Sequence, residues 1–178
     1  MSDSQIKALV FDVFGTVVDW RTSISRQAAE FGAKHGVEAD WLKFADDWRA
    51  GYGAGMAKVN SGEDEWKIVD EIHRERLEVI LDEYGFPSIG DAELTEFNKA
   101  WHRLDGWPDS TAGLTRLKSK FIISSLSNGN IALLTNMAKY ANLPWDAVLS
   151  AELAGKYKRH PRAYTKTAEL LGLEYDEV

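Results

Sequence analysis

Ile6-Lys7-Ala8-Leu9-Val10-Phe11-Asp12-Val13-Phe14-Gly15-Thr16-Val17-Val18-Asp19 opens on an apolar run and breaks at a carboxylate. The run has the length of a buried strand, and Gly15 supplies the freedom for a sharp turn just beyond it. In an open α/β sheet the end of such a strand borders the crevice where ligands bind. Asp12 is therefore the first candidate for chemistry, against the plainer alternative of a turn closed by an Asx hydrogen bond.

Outward from this stretch the pattern changes twice. Between about Trp20 and Leu104, amphipathic segments follow one another at residues 23–34, 40–50, 63–84 and 91–104. In the third of them Trp66, Val69, Ile72, Arg76, Val79, Ile80 and Tyr84 recur at helical steps, which predicts one buried face. After Gly106-Trp107-Pro108 strands and helices alternate. Helices are expected at 112–117 and 131–141, strands at 121–126 and 147–151, and a last helix at 161–171 between Pro161 and Gly172. Such alternation implies right-handed crossovers and a parallel sheet. The expected fold is α/β, with a core of residues 1–19 and 106–178 and an all-helical insertion of residues 20–105.

Composition narrows the function classes. A chain of 178 residues, 44% hydrophobic and 28% charged, can bury a substantial core. A net charge of −7 and the lack of a Lys/Arg run argue against a nucleic-acid partner. Cysteine is absent, so disulfides and thiolate metal sites are excluded, in keeping with a cytoplasmic location. No apolar stretch nears the roughly 20 residues of a membrane span, and Met1-Ser2-Asp3-Ser4-Gln5 has no signal-peptide character. No membrane association is expected. Most of the 7 tryptophans lie between residues 20 and 107, where they are expected to pack the helical part.

Two further stretches carry candidate chemistry. Ile122-Ile123-Ser124-Ser125-Leu126-Ser127-Asn128-Gly129 is a strand ending in small hydroxyl and amide residues, and Tyr157-Lys158 follows the strand at 147–151. Singly, the first is a turn signal and the second a surface lysine. Together and in this order, with Asp12 to Asp19 ahead of them, they resemble the successive motifs of the haloacid dehalogenase superfamily. The resemblance implies that Asp12 is a carboxylate nucleophile, that Thr16, Ser127 and Asn128 hold the anionic part of the substrate, and that Lys158 neutralises the charge on Asp12.

The branch of the superfamily turns on Phe14. Its phosphatases carry a second Asp at this position, which protonates the leaving oxygen and later activates water. A phenyl ring can do neither, whereas a departing halide needs no proton. The 2-haloacid dehalogenases carry an aromatic residue here, and Phe14-Gly15-Thr16 follows them. Two more residues are similar to that branch: Arg49, where an arginine receives the halide, and Tyr164, where a tyrosine joins the site. On sequence pattern alone, Arg49 would pair with Asp46 or Asp47, and Tyr164 would lie on the buried face of the last helix.

Departures from the family pattern also stand out. Arg159-His160-Pro161 replaces the usual proline and acid after the lysine. The fourth motif would begin beyond Val178, so a truncated chain is the expectation. Gly51-Tyr52-Gly53-Ala54-Gly55 lacks the strand and spacing of a nucleotide loop and is expected to be a flexible turn. His35, His73, His102 and His160 have no metal-ligand spacing, and His102, after Trp101, is expected to pack or to support the site from behind. No Ser sits in a G-x-S-x-G elbow.

The resemblance thus implies hydrolytic removal of halide from a short 2-haloalkanoic acid, without metal or other cofactor, and leaves open a homodimer. Two alternatives remain at this point. One is a Mg²⁺-dependent phosphatase of the same superfamily, and the other a catalytically silent binding protein of the same fold.

Overall fold

A computed structural model describes residues 5–178. Three parallel strands form the sheet, in the order β1 (Ala8–Phe11), β4 (Ile122–Ser127), β5 (Ala147–Ser150). Ala8 pairs with Ile122 and Phe11 with Ser125, and on the other side Ser124 pairs with Ala147 and Ser127 with Ser150. The central strand carries buried serines, a costly choice unless each hydroxyl finds a partner. Ser125 meets the cost by donating to the Leu149 carbonyl at 2.8 Å and accepting from its amide at 3.1 Å. The strands end side by side, so the residues after β1, β4 and β5 share one edge.

Between β1 and β4 the chain passes through a short antiparallel ribbon, β2 (Val18–Asp19) with β3 (Asp105–Gly106). Four helices lie between the two ribbon strands: α1 (Trp20–His35), α2 (Trp41–Ser61), α3 (Val69–Glu83) and α4 (Asp91–Asn98), the last continued by a 3₁₀ turn over Lys99–His102. Helices α5 (Ser110–Lys118), α6 (Ile131–Tyr140) and α7 (Pro161–Leu171) connect and flank the sheet strands. No helix among the described residues is long and apolar enough to cross a membrane.

Local chemistry sets these boundaries. Asp19 caps α1 by accepting from the Thr22 amide at 3.1 Å, and Asp40 caps α2 through the Lys43 amide at 3.0 Å. Pro161 opens α7 and Gly172, at φ 67°, closes it, as their order in the sequence predicts.

Three expectations need correction. The run at 63–84 becomes helical only at Val69, because Gly62 ends α2 in the left-handed conformation and Ile68 is extended. The segment 91–104 leaves α-helical geometry at Asn98. Most tellingly, Gly51 to Gly55 is the interior of α2 and no turn. A Cβ on Gly51 would stand 2.4 Å from Arg76 Cγ, and one on Gly55 2.5 Å from Ile72 Cγ2. These glycines let α2 and α3 approach closely, a packing role that the local sequence does not announce.

Candidate active site

Asp12 is the residue after β1, where the chain leaves the sheet edge. Gly15, at φ 86°, turns the backbone back so that its amide reaches the Val18 carbonyl at 3.0 Å. The turn brings Thr16 Oγ1 to 3.2 Å from Asp12 Oδ2. From the opposite edge of the sheet end, Lys158 Nζ approaches Asp12 Oδ1 at 2.8 Å and also donates to the Leu126 carbonyl at 2.9 Å. The carboxylate stays half-open to solvent while the ammonium is largely covered, at 46% and 17% exposure. A carboxylate so held is aimed outward with its charge compensated from behind, the condition for attacking an electrophile in the crevice.

The β4–α6 loop completes this edge. Asn128 Oδ1 accepts from the Lys158 amide at 2.7 Å, which ties the lysine-bearing loop to the end of β4. Ser127 is fully buried, and its Oγ lies 3.5 Å from the Gly129 amide. Gly129 has a reason of its own: a Cβ there would stand 3.0 Å from the Phe14 ring. Phe14 is itself buried, with its ring centroid 6.4 Å from Tyr52 and 6.2 Å from Trp101. The position two after Asp12 is therefore packed as part of an aromatic wall.

That wall encloses Arg49. Its guanidinium carbon lies 3.9 Å from the Tyr52 ring centroid, 5.1 Å from Phe14, 5.5 Å from Trp20 and 5.9 Å from Trp101. Neither neighbouring acid pairs with it, since Asp46 binds Arg21 at 2.6 Å and Asp47 is taken by Lys43 and the Tyr84 hydroxyl. Arg49 Nη1 is buried without any hydrogen-bond partner among the described residues. Burial pulls its pKa below the ordinary value, with Tyr52 and the negative Asp12 acting in the other direction. Even so, a guanidinium stays protonated in proteins. A permanent cation, partly desolvated and in no ion pair among the described residues, is poised to receive an anion.

Asp12, Phe14, Thr16, Lys158, Ser127 and Asn128 thus gather around the ends of β1 and β4, and Arg49 faces them from α2. Tyr164 is not among them. It is 46% exposed on α7, beside Val10, Leu126 and Tyr175, while α7 buries Ala163, Thr167 and Ala168 instead. Sequence reasoning missed Trp20, Trp101 and His73 as neighbours of the cation. His73 is fully buried and stacks on Trp101 at 4.2 Å, and both its ring nitrogens lack partners among the described residues. The only advance signal for this group was the crowding of tryptophan into the helical segments.

Comparison with known proteins agrees with this geometry. The family model described as haloacid dehalogenase-like hydrolase matches residues 6–178. The chain is 31% identical to (S)-2-haloacid dehalogenase 4A of Burkholderia cepacia, over all of its own length and 74% of that protein's. It superimposes on the crystal structure of a defluorinating L-2-haloacid dehalogenase with a TM-score of 0.92 and 46% identity, covering 95% of this chain and 70% of the other. It also superimposes on the L-2-haloacid dehalogenase of Xanthobacter autotrophicus with chloropropionic acid covalently bound, with a TM-score of 0.81 and 25% identity, over 96% and 66% of the two chains. With its carboxylate, lysine and aromatic-walled arginine in place, the chain belongs to the haloacid dehalogenase-like hydrolases, in the L-2-haloacid dehalogenase family.

Proposed function

We propose that the protein hydrolyses short 2-haloalkanoic acids to 2-hydroxy acids through an ester on Asp12. One oxygen of the Asp12 carboxylate attacks the halogen-bearing carbon, and the carbon–halogen bond breaks with its electron pair leaving as halide. Thr16, Ser127 and Asn128 hold the substrate carboxylate, and Lys158 keeps Asp12 ionised and aligned. The halide departs toward Arg49. Water then adds at the ester carbonyl of Asp12. Its oxygen stays in the aspartate, the original aspartate oxygen leaves as the product hydroxyl, and one proton is released. The helices of residues 20–105 act as a cap that brings Arg49 over the sheet edge.

The observation that carries this reading is the placement of an ion-paired Asp12 across Phe14 from Arg49, a partly buried guanidinium whose Nη1 has no partner among the described residues. A phosphatase would need an acid where Phe14 packs, so the Mg²⁺-dependent alternative has no proton donor there. The related enzyme with chloropropionic acid covalently bound supports the ester route by analogy.

The test is a limiting turnover of 2-chloropropionate in H₂¹⁸O, followed by peptide mass analysis. Label in the peptide holding Asp12 is the expected result, alongside released chloride. Chloride release with an unlabelled Asp12 would overturn the mechanism, and turnover of p-nitrophenyl phosphate with Mg²⁺ but none of 2-chloropropionate would overturn the activity.

A further inference from the structure

A polar knot lies beside the site, away from the reacting carboxylate. Asp70, in the first turn of α3, accepts from Asn130 Nδ2 at 2.9 Å, and its backbone amide donates to Asn130 Oδ1 at 3.3 Å. Two residues therefore bind each other reciprocally across 60 positions of sequence. His102 Nε2 stands 3.0 and 3.2 Å from the two Asp70 oxygens, while its Nδ1 faces Asn136 Nδ2 at 2.9 Å. An amide nitrogen can only donate, so Nδ1 accepts and Nε2–H donates to Asp70; the neutral ring in this tautomer satisfies every bond. The Asp70 carbonyl in turn accepts from Asn98 Nδ2 at 2.9 Å.

The placement of this knot matters more than its size. Asn130 is almost wholly buried and directly follows Ser127-Asn128-Gly129, the loop to which the substrate carboxylate is assigned. It is also the residue from which α6 starts, its carbonyl accepting from the Leu134 amide at 3.0 Å. Asp70, His102 and Asn98 come from the helical insertion, and Asn130 and Asn136 from the core. Buried amides and carboxylates left without partners lose the hydrogen bonds that water would have given them. The two halves therefore gain most when they meet in this one register, which sets the distance between the Arg49 wall and the Asp12 edge.

We infer that Asp70 and Asn130 are positioning residues: their reciprocal clamp ties the cap to the β4–α6 loop, so that Ser127 and Asn128 are already in place when the substrate carboxylate arrives. This rests on the proposed dehalogenase reading for the identity of the substrate, but the clamp itself can be tested apart from it. Asn130→Asp sets two carboxylates against each other. Asp70→Asn with Asn130→Asp exchanges the partners and restores the reciprocal clamp together with the shorter of the two His102 contacts. The carboxylate now at position 130 accepts from the backbone amide and the side-chain amide at position 70, and the side-chain oxygen at position 70 accepts from His102.

Two readouts separate the outcomes. The first is hydrogen–deuterium exchange of the full chain, which needs no substrate: Asn130→Asp is expected to speed exchange across residues 127–134 at least about tenfold, and the exchanged pair to return it to the wild-type rate. The second is steady-state turnover of 2-chloropropionate: KM is expected to rise at least about tenfold in Asn130→Asp with kcat changed far less, and to recover in the exchanged pair. A substrate-independent loss of active protein would lower kcat at constant KM instead, and that result overturns the inference. So does an exchanged pair that stays as impaired as Asn130→Asp in both readouts. If Asn130→Asp does not fold, Asn130→Ala replaces it, with the same rise in KM expected. A wild-type chain that turns over no haloacid, yet shows the exchange pattern, keeps the clamp and discards the proposed function.

Discussion

Arg49 shows how a single residue can be costly to the fold and necessary to the chemistry. Taking an unpaired charge out of water costs several kcal/mol, and contact with aromatic faces returns only about 0.5–2 kcal/mol. For the covered part of the guanidinium the burial term is the larger, so Arg49 is expected to weaken the free protein. Arg49→Met, close in volume and without charge, is expected to raise unfolding stability by about 1–2 kcal/mol in urea melts. The same change is expected to lower turnover of 2-chloropropionate by at least about 10²-fold, because the leaving halide loses its cation. An Arg49→Met variant that is both less stable and fully active would show that the guanidinium is neither strained nor used. Asp12 and Lys158 behave differently. Asp12 was legible in sequence as a strand-end carboxylate, whereas Lys158, by its local pattern a surface lysine, took its role from the resemblance; their 2.8 Å ion pair is partly open to water. Arg49 was legible only by resemblance. Its local pattern pointed to Asp46 or Asp47, and only the fold shows that both acids are already taken.

At the scale of elements, the packing contact between α2 and α3 carries the most informative error of sequence reading. Glycines at 51, 53 and 55 spell a turn when read locally, because glycine costs a helix about 1 kcal/mol relative to alanine. The structure keeps the helix through all three, and the reason lies on the neighbouring helix. Gly51 and Gly55 are one helical turn apart on the face that meets Arg76 and Ile72, whereas nothing among the described residues lies within 4 Å of a Cβ at Gly53. The three positions should therefore respond with opposite signs. Gly53→Ala is expected to stabilise by about 0.5–1 kcal/mol through helix propensity alone. Gly55→Ala drives a methyl group into Ile72, a stiff and buried β-branched residue, and is expected to destabilise by about 1–3 kcal/mol. Thermal melts of the two variants check this, and equal shifts in the same direction would mean that the helices are not in contact through Gly55. By contrast β1, β4, β5 and α7 were legible, since short apolar runs, Pro161 and Gly172 act within their own segments.

At the scale of the whole molecule, what the sequence withheld is what the fold assembles from distant segments: the aromatic wall of Phe14, Trp20, Tyr52 and Trp101, and His73 behind it. No spacing rule links residues 14, 20, 52, 73 and 101, because hydrophobic periodicity reports a buried face without naming what it faces. The choice of His at position 73 makes global stability depend on pH. Burial, with the nearby positive Arg49, holds the His73 pKa well below its ordinary 6.5, so the native ring is neutral. In the unfolded chain the ring takes up a proton as pH falls below about 6.5. The unfolded state then binds more protons than the native one, and stability declines with acidification, at a slope approaching ~1.4 kcal/mol per pH unit. The contribution is complete above pH 6.5 and is lost progressively below it, down to the depressed native value. His73→Phe keeps a ring to stack on Trp101 and removes the titration. The difference in unfolding free energy between wild type and His73→Phe is therefore expected to be constant from pH 7 to 8, and to shift in favour of the variant by about 1 kcal/mol for each unit from pH 6.5 to 5. Urea melts across that range decide it. A difference that stays flat below pH 6.5 would mean that the imidazole accepts its proton inside the folded protein as readily as in water, and so that the wall around Arg49 is open to solvent.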